Sequence, residues 1–572
     1  MKFIRVNMSD QSIRVEDASS DYRGLGGRGL TSMLVLNEVP PTCDALGPDN
    51  KLIFAPGLLS GTGLVNTSRL SVGAKSPLTG TIKESNVGGT AADALAKLGV
   101  AAVIVEGQAQ PGALYLLRID ENGHATLMDA GACQGLRTYA LTERLLGDFG
   151  PKNSVVCIGP AGEFRMKSAS IQASDVDDRP CRAAGRGGLG AVMGAKGLKA
   201  LVLDRRGNMA EALADPETFK AGIKVFAKAI TSNGFTGHML PKLGTAALVG
   251  VTNSMGAFPA YNATKGQLEG FEKIGGEALA ELITARGGQT THMGCSGCAI
   301  HCSNVFLDAE GRYVTSSLEY ETIWSMGGMT GITDLDTIAR LDFLCDDIGL
   351  DTINTGVALA VAMDAGYQAF GDSRAALDML DEIASGSEIG RVLGDGPVAA
   401  GRHFNHARVP AVKGQGIAAY DPRAMQGNGV TYATSTMGAD HTAGNLIGDY
   451  LAGKLNPVSP DGQVEASRNI QIQMGFVDNT GLCLLAASAM ADKEGGPAFF
   501  SMLKAKLGTD ITPADATALG RRILQAEREF NRKAGLTSAD DRLPEFFKTE
   551  PLPPHNVVFQ VSDEALDQTF DF

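Results

Sequence analysis

Short apolar stretches separated by turns occupy the first third of the chain. Apolar or alternating runs of strand length occur in FIRVNM, SIRVED, KLIFAPG, AAVIVEG, ALYLLRID, HATLMDA, SVVCIGPAG and KALVLD. Turn-forming residues such as Glu121-Asn122-Gly123 separate these runs. The pattern predicts a β-rich domain over residues 1–208.

Helical periodicity dominates after residue 208. Apolar residues recur at helical spacing in DPETFKAGIKVFAKAI, GGEALAELITAR, LDTIARLDFLCDDIG, NTGVALAVAMDAG and SRAALDMLDEIASG. A stretch rich in Gly and Pro around residue 411 divides this part into helical domains at 209–410 and 411–572. A further helix is expected after Thr512, with Pro513 in its first turn and Gly535 as its terminator. For all 572 residues we therefore predict an α+β fold, with a β-rich N-terminal domain followed by two mainly α-helical domains.

Charge and composition narrow the possible functions. The net charge of −14 and the pI near 5.2 exclude nucleic acid as a partner, because phosphate backbones require clustered Lys and Arg. A basic docking protein is compatible with this charge. No apolar run approaches the roughly 18 residues of a membrane span, and the polar N-terminus has no signal-peptide core. We expect a cytoplasmic protein without a membrane segment.

Three of the nine cysteines form a metal-ligand pattern. Cys295, Cys298 and Cys302 have C-x2-C-x3-C spacing on a loop that contains Gly294 and Gly297. A zinc ribbon needs a second C-x2-C pair, which the chain lacks, whereas a cubane cluster needs three clustered thiolates and a fourth from elsewhere. The radical-SAM loop is a more distant alternative, because its two spacings are reversed. An iron–sulfur cluster is favoured, and the candidates for its fourth ligand are Cys43, Cys133, Cys157, Cys181, Cys345 and Cys483.

One short motif occurs twice, and we find no other repeat. D-x-x-G-L-D runs from Asp346 to Asp351, and D-x-x-G-L-C runs from Asp478 to Cys483. Each copy ends an amphipathic helix with Gly as terminator and places Asp in the last turn, where the helix dipole disfavours negative charge. Such a departure from a local rule is typical of a functional site. A pair of carboxylates would suit a ligand whose edge carries several N–H donors.

Together, these motifs resemble the tungsten-containing aldehyde ferredoxin oxidoreductase family, and the resemblance runs from FIRVN to LPEFF near residue 547. It implies a tungsten (or molybdenum) centre held by the dithiolene sulfurs of two pterins, without a protein ligand. It assigns Asp346, Gly349, Leu350 and Asp351 to one pterin, and Asp478 and Leu482 to the other. It also implies one 4Fe–4S cluster with the ligands Cys295, Cys298, Cys302 and Cys483.

The same resemblance covers glycine-rich segments of the first third. RLSVGAKSPLTG and SNVGG match, so that Arg69 is expected between pterin and cluster, and Asn86 and Gly88 near the pterin phosphates. RAAGRGG matches a second phosphate-side loop, with Arg182, Ala183 and Gly185. In the family, the residues matching Asn86 and Ala183 share a Mg²⁺ ion that bridges the phosphates. Glycine allows the backbone to approach such ligands closely.

The resemblance also implies the catalytic groups. LEYETIW places a glutamate at Glu321, and GADHTAGN places a histidine at His441. Oxidation of an aldehyde to an acid needs delivery of oxygen, a donor to the carbonyl oxygen and a proton acceptor. His441 is the expected acceptor, Glu321 is expected to position substrate or to shuttle the proton, and Tyr320 is an additional donor candidate.

The electron partner is expected to be a separate protein. Gly24 to Gly29 match G-x-G-x-x-G, but no strong apolar strand precedes them, so this is no nucleotide-binding fingerprint. We expect a ferredoxin or a multi-cluster iron–sulfur subunit, with a flavin protein beyond it for NAD. Some family members join two copies through an iron on an E-x-x-H motif, where this chain has Arg340 and Phe343. A hetero-oligomer is therefore expected instead.

Two other functions are compatible with parts of the sequence. A reductase of the same architecture would run the reaction in reverse on an activated or aromatic acid. A non-catalytic iron–sulfur electron-transfer subunit would keep the cysteines, but would need neither the paired D-x-x-G-L motifs nor Glu321. The sequence does not distinguish tungsten from molybdenum, because the sulfur ligands belong to the cofactor.

Overall fold

A computed structural model describes residues 1–572. The first half of the β-rich N-terminal domain contains a six-stranded sheet of order β2-β1-β6-β3-β4-β5. β1 and β6 are parallel, and the other neighbours are antiparallel. Its elements are β1 (Lys2–Asn7), β2 (Ser12–Asp17), α1 (Gly27–Glu38), β3 (Leu52–Pro56), β4 (Leu70–Lys75), β5 (Ile82–Val87), α2 (Ala91–Lys97) and β6 (Val100–Glu106).

A second six-stranded sheet follows, in the order β11-β10-β9-β12-β7-β8. Here β7 and β12 are parallel, and the other neighbours are antiparallel. Its elements are β7 (Tyr115–Ile119), β8 (Ala125–Asp129), α3 (Thr138–Phe149), β9 (Asn153–Cys157), α4 (Pro160–Glu163), β10 (Ile171–Ala173), β11 (Arg182–Ala184), α5 (Leu189–Ala195) and β12 (Leu198–Asp204).

The two sheets have the same topology. In each, a hairpin and a helix are followed by a three-stranded meander, a short helix and a strand that returns beside the hairpin. Only α4 has no counterpart. Our sequence analysis found no repeat besides the hexapeptide and did not detect this duplication. The duplication concerns topology, and hydrophobic patterns that differ in length and spacing conceal it in the sequence.

The sheets pack through a shared core. Residues of both sheets, α2 and α5 form one cluster of 31 buried apolar residues. α1 covers the outer face of the first sheet, together with Phe530. α3 covers the outer face of the second sheet. Burial on both faces explains why strands such as AAVIVEG read as continuous apolar runs.

The remainder is mainly helical, as expected, with two small sheets inserted. From residue 216 its elements are α6 (Pro216–Thr231), α7 (Leu240–Leu243), α8 (Leu248–Ser254), α9 (Gly276–Ala285), β13 (Gln289–His292), β14 (Ser303–Leu307), β15 (Tyr313–Ser316), α10 (Tyr320–Ile323), α11 (Leu335–Ile348), α12 (Thr352–Asp364), α13 (Ser373–Ser385), α14 (Glu388–Gly394) and α15 (Pro397–His403). Then follow β16 (Ala411–Val412), β17 (Gln415–Gly416), α16 (Gln426–Thr434), α17 (Ile447–Leu451), α18 (Gln463–Thr480), α19 (Gly495–Leu507), α20 (Pro513–Lys533), α21 (Phe546–Thr549) and α22 (Asp563–Asp567).

A core of 64 buried residues draws on both predicted helical domains. The boundaries at 208 and 410 stay predictions. The capping expected for α20 is present, since Thr512 forms a capping box with Asp515 and Gly535 follows the helix with positive φ. None of the helices combines the length and the hydropathy that a membrane crossing needs.

Candidate active site

The structure brings four cysteines together. Cys295, Cys298 and Cys302 lie between β13 and β14, and Cys483 follows α18. Asn66 links the two segments: its Oδ1 accepts from the Ala299 N–H at 3.0 Å, and its carbonyl accepts from the Cys483 N–H at 2.8 Å. The Asn66 Nδ2 lies 3.4 Å from the Cys298 Sγ. Nothing in the sequence singled out Asn66, although an Asn with positive φ is a signal for such a turn.

The electrostatics of this group fit a metal cluster. Burial raises the pKa of Cys302 well above its usual range, and the charges of Cys483, Cys298 and Cys295 add to that shift. The pKa of the half-buried Arg69 is raised: desolvation acts to lower it, but the thiols of Cys483, Cys295 and Cys302 outweigh that effect. Four thiols that repel each other as thiolates, beside one guanidinium, are the donor set that a 4Fe–4S cluster requires.

Gly88 lies against this group. A Cβ atom at this position would be 2.4 Å from the Cys295 Sγ and 3.0 Å from a guanidinium nitrogen of Arg69. Any side chain here would therefore displace the thiol. Cys345, in contrast, has Asp342, Asp346 and Asp351 as its nearest charged groups and lies in the helical core.

Both D-x-x-G-L motifs end a helix, as predicted. Gly349 terminates α11 and Gly481 terminates α18, with φ of 81° and 79°. Each motif docks on one sheet through its glycine carbonyl. The Ser170 N–H donates to the Gly349 carbonyl at 2.9 Å, and the Arg69 N–H donates to the Gly481 carbonyl at 3.2 Å.

The motif aspartates are buried and only partly neutralised. Burial raises the pKa of Asp478 to about 6, although Arg28 lies 3.3 Å away. Burial and the neighbouring Asp478 raise the pKa of Glu84 to about 7. Burial also raises the pKa of Asp346 well above its usual range, and Asp342 adds to the shift. Buried carboxylates with remaining acceptor capacity fit the N–H-bearing edge of a pterin.

The last residues of the motifs have other partners. The leucine side chains of Leu350 and Leu482 are buried in the two cores. Their N–H groups donate to the Cys345 carbonyl and to the Thr480 Oγ1, so neither is free for a cofactor. Asp351 caps α12 by accepting from the Asn354 N–H at 2.9 Å.

The expected phosphate-side residues meet at two sheet edges. Asn86 lies on β5, the edge strand of the first sheet, and Gly88 follows it; Arg182 and Ala183 lie on β11, the edge strand of the second. Edge strands keep unpaired N–H and C=O groups. Arg182 donates to Ser303 and Ser317, and its Nε is buried without a partner. Gly185 lies where a Cβ would be 3.1 Å from a carboxylate oxygen of Asp351.

Glu321 and His441 face each other in the helical part. The Glu321 Oε1 and the His441 Nε2 are 3.5 Å apart, and the Ala419 N–H donates to the Glu321 Oε2 at 3.0 Å. Burial raises the pKa of Glu321, although His441 opposes the shift. The Glu321 Oε1 and the His441 Nδ1 are buried without a hydrogen-bond partner. Two unsatisfied polar atoms at one place indicate a site for a ligand.

Tyr320 is placed differently from our expectation. Its hydroxyl donates to the Ala419 carbonyl at 2.7 Å and lies 2.7 Å from the Thr252 Oγ1, and its ring is buried. Because its proton is already used, the geometry favours a positioning role: it holds the segment whose N–H binds Glu321. Tyr432 has a buried hydroxyl without a partner, and Glu321 is among the charges acting on it. Nothing in the sequence singled out Tyr432.

Two further basic residues support the His441 loop. Lys83 on β5 forms a buried ion pair of 2.8 Å with Asp440, next to His441. Burial acts to raise the pKa of Asp440, but Lys83 and Arg186 outweigh it and hold the pKa well below its usual range. Arg186 also donates to the Ala439 and Gly416 carbonyls and lies 3.6 Å from Asp351. Lys83 and Arg186 are close in sequence to residues that we predicted for the site. Their partners in the His441 loop are far away in the sequence, so the pairing could not be predicted.

Comparison with known proteins gives one consistent result. The N-terminal domain model of aldehyde ferredoxin oxidoreductase matches residues 3–205, and the model of domains 2 and 3 matches residues 222–571. The chain is 35% identical to the tungsten-containing aldehyde ferredoxin oxidoreductase of Pyrococcus furiosus, over 96% of this chain and 92% of the relative. For the same enzyme of Thermococcus kodakarensis the identity is 34%, with the same coverage.

More distant proteins share the architecture. The WOR-like subunit of an aliphatic sulfonate oxidoreductase from Pyrococcus furiosus is 26% identical, over 96% of this chain and 90% of the relative. The active-site complex BamBC of benzoyl coenzyme A reductase superposes with a TM-score of 0.81 at 19% identity, covering 100% of this chain and 93% of that one. That likeness concerns the fold alone. The sequence matches along nearly the whole chain show that this protein is an oxidoreductase of the aldehyde ferredoxin oxidoreductase family.

Proposed function

We propose that this chain oxidises aldehydes to carboxylic acids at a bis-pterin tungsten or molybdenum centre. The reaction is RCHO + H₂O → RCOOH + 2e⁻ + 2H⁺. The observation that carries the proposal is the buried pair of Glu321 and His441, whose facing side chains keep two polar atoms without partners. The names of the relatives with about 35% identity support the substrate class.

The residues present fit the cofactors. Asp346 and Asp478 would offer buried acceptors to two pterins, and Asn86 and Ala183 on the edge strands would hold a Mg²⁺ ion. Cys295, Cys298, Cys302 and Cys483 would hold the 4Fe–4S cluster. When bound, such a metal centre would supply the acceptor for the two electrons of the aldehyde.

The protein's own part is proton transfer and orientation. The Nε2 of His441 faces the Glu321 carboxyl group, which orients the ring so that Nδ1 would accept the proton of the attacking water. The Ala419 N–H holds the other oxygen of Glu321. The His441 and Glu321 side chains are only 18% and 15% exposed, which limits the access of bulk water and strengthens these interactions.

Substitution of the pair tests the proposal. We expect Glu321→Gln and His441→Asn each to lower turnover about 10²–10⁴-fold, as for acid–base groups, with metal and iron contents retained. The exposed residues Glu310 and His124 give matched controls, Glu310→Gln and His124→Asn, with wild-type turnover. Loss of metal would indicate a structural role instead. A change in KM alone would contradict the proposed chemistry.

The reverse reaction is the alternative within the same architecture. A reductase of activated or aromatic acids would use the same redox centre. Reduction of benzyl viologen by simple aldehydes, measured with the purified protein, supports the oxidase direction. Absence of this activity in protein with full metal and iron content would favour the reductase, and elemental analysis of the same sample decides between tungsten and molybdenum.

A separate carrier removes the electrons in this proposal. Only four cysteines gather, while the other five lie singly, so a second cluster finds no ligands in the chain. Gly297 and Met293 of the cluster loop are exposed and offer a docking surface for a ferredoxin or a multi-cluster iron–sulfur subunit. Arg340, at the E-x-x-H position, instead stacks on Phe343 at 4.9 Å. A hetero-oligomer is therefore the expected assembly.

Purification from the native host tests this assembly. We expect the tagged chain to be isolated with an iron–sulfur protein, with a flavin protein beyond it where NAD is the final acceptor. A lone subunit that reduces NAD with aldehyde, free of any second iron–sulfur protein, would refute the proposal.

A further inference from the structure

Three potential metal ligands meet outside the proposed active site, and a cysteine lies beside one of them. Asp175 and Asp177 lie in the loop between β10 and β11, Cys181 precedes β11, and His292 ends β13. One ligand atom each of Asp175, Asp177 and His292 lies within 4.8 Å of the other two. The Cys181 Sγ is 3.4 Å from the Asp175 Oδ2, and the His292 Nε2 is 2.9 Å from the Asp177 Oδ2.

The buried carboxylate of Asp175 is poorly compensated. Its side chain is fully buried, and its Oδ1 accepts from the N–H groups of Asp177 and Arg179 at 2.8 and 3.0 Å. Its Oδ2 meets only the thiol of Cys181, which is a weak donor. A buried anionic oxygen without a strong donor is costly, so a cation at this position would stabilise it.

His292 has the environment of a metal ligand. It is 6% exposed, its Nδ1 lies 3.3 Å from the Ser303 Oγ, and its Nε2 already contacts the Asp177 carboxylate. Metal-ligating histidines are oriented in this way by a polar partner on the second ring nitrogen. The side chain of Asp177 is 42% exposed, so the site has an entry path on one side.

We propose that Asp175, Asp177, Cys181 and His292 bind one structural zinc ion. Two carboxylates, a thiol and an imidazole form a mixed donor set that zinc accepts with tetrahedral geometry, whereas Mg²⁺ and Ca²⁺ prefer oxygen ligands alone. Tetrahedral zinc holds its ligand atoms about 3.3–3.8 Å apart, close to the 2.9 and 3.4 Å contacts present here. Metal binding would release the thiol proton of Cys181 to solvent.

The charges of the neighbouring residues are compatible with a zinc ion at this position. Two carboxylates, a thiolate and Zn²⁺ leave one net negative charge, and Arg179 and Arg182 lie beside it. Arg179 is 3.2 Å from Asp177 and 3.0 Å from the Ser316 Oγ, so it orients the carboxylate from outside. The ion would join the loop before Arg182 to the strand that leads into the cluster loop. This inference does not depend on the proposed reaction.

Zinc content of the purified holoenzyme, measured beside tungsten, molybdenum and iron, tests the proposal. We expect one zinc per chain and a zinc absorption-edge spectrum with one sulfur and three nitrogen or oxygen ligands. Cys181→Ser and Asp177→Asn should lose the zinc. The control Asp178→Asn should keep it, since Asp178 pairs with Arg205 instead.

Three results would overturn the zinc site. The first is wild-type protein that stays without zinc after incubation with one equivalent of the metal. The second is equal zinc in wild-type protein and Cys181→Ser, which would mean an adventitious ion only. The third is a spectrum without a sulfur ligand, and this measurement needs no variant, so it decides the matter even where a substituted chain fails to fold.

Discussion

The two halves of the β-rich domain hold the two D-x-x-G-L motifs in the same way. In the first sheet, Gly57 after β3 lies against Gly481; in the second, Gly159 after β9 lies against the Ile348 carbonyl. The strand that follows donates a backbone N–H to the motif glycine, from Arg69 in one half and from Ser170 in the other. One scaffold, used twice, therefore places both aspartates in equivalent positions.

The two halves differ in the last residue of the hexapeptide motif, and in the residue whose N–H donates to the motif glycine. Cys483 and Arg69 lie among the cluster cysteines, whereas Asp351 and Ser170 lie away from them. Asp351 instead caps α12 and lies 3.6 Å from Arg186, which binds the loop before His441. In the proposed function, one half would thus be connected to the electron exit and the other to the proton-transferring groups.

The largest expected effect tests the sixth position. Cys483→Ser should remove the cluster, since three protein thiolates do not complete a cubane, and iron per chain should fall toward zero. Asp351→Ser, at the same position of the other copy, should keep its iron, and so should Cys345→Ser. Iron and acid-labile sulfide analysis gives the answer. Equal iron loss in Cys483→Ser and Cys345→Ser would contradict the assignment of Cys483 as a cluster ligand.

A smaller effect is expected where the backbone of each motif touches its sheet. A Cβ at Gly57 would be 2.1 Å from the Gly481 Cα, and one at Gly159 would be 2.2 Å from the Ile348 carbonyl oxygen. Gly57→Ala and Gly159→Ala should each lower the free energy of unfolding by about 1–3 kcal/mol, as overpacking does. Denaturant unfolding of the cofactor-free protein measures this.

Iron analysis distinguishes Gly57→Ala from Gly159→Ala, because only Gly57→Ala should also reduce the iron content of the cluster. Gly147 in α3 has open space around it. Gly147→Ala should therefore be neutral or stabilise by about 0.5–1 kcal/mol, as expected for Gly to Ala in a helix. The same iron loss in Gly57→Ala and Gly159→Ala would mean that the halves do not differ in the way described.

The smallest effect concerns pH and one carboxyl group of the first half, Glu84. Burial and Asp478 raise the pKa of Glu84 from 4.5 to about 7, while Arg28 and Lys83 oppose the shift. Because the folded protein holds this proton more tightly than the unfolded chain, the stabilisation is complete below about pH 4.5 and is lost as the pH rises through about 7. Glu84→Gln should flatten this dependence in the cofactor-free protein.

Melting temperatures between pH 5 and 8 provide the measurement for Glu84→Gln. The exposed Glu310→Gln is the control and should follow the wild type. A melting temperature of Glu84→Gln that falls with pH as steeply as that of the wild type would contradict the assignment.

Local sequence alone determined a large part of this protein. The strands of the first third, the helices after residue 208, the capping of α20 and the glycine ends of α11 and α18 follow from periodicity and from glycine's access to positive φ. The C-x2-C-x3-C loop and the repeated hexapeptide also stand out, because their residues are close in sequence. A metal-cluster site and a ligand-binding site were predicted at these motifs for the same reason.

Only the tertiary structure decided which distant groups meet. The duplicated sheet topology became visible only in the structure. The structure also places Asn66 beside Cys483 and pairs Lys83 with Asp440, and the residues of each pair are hundreds of positions apart in the sequence. The role expected for the Tyr320 hydroxyl changed for the same reason, since its partners Ala419 and Thr252 lie on other elements. A side chain's partners depend on packing between elements, and hydrophobic periodicity specifies which face is buried without specifying what it is buried against.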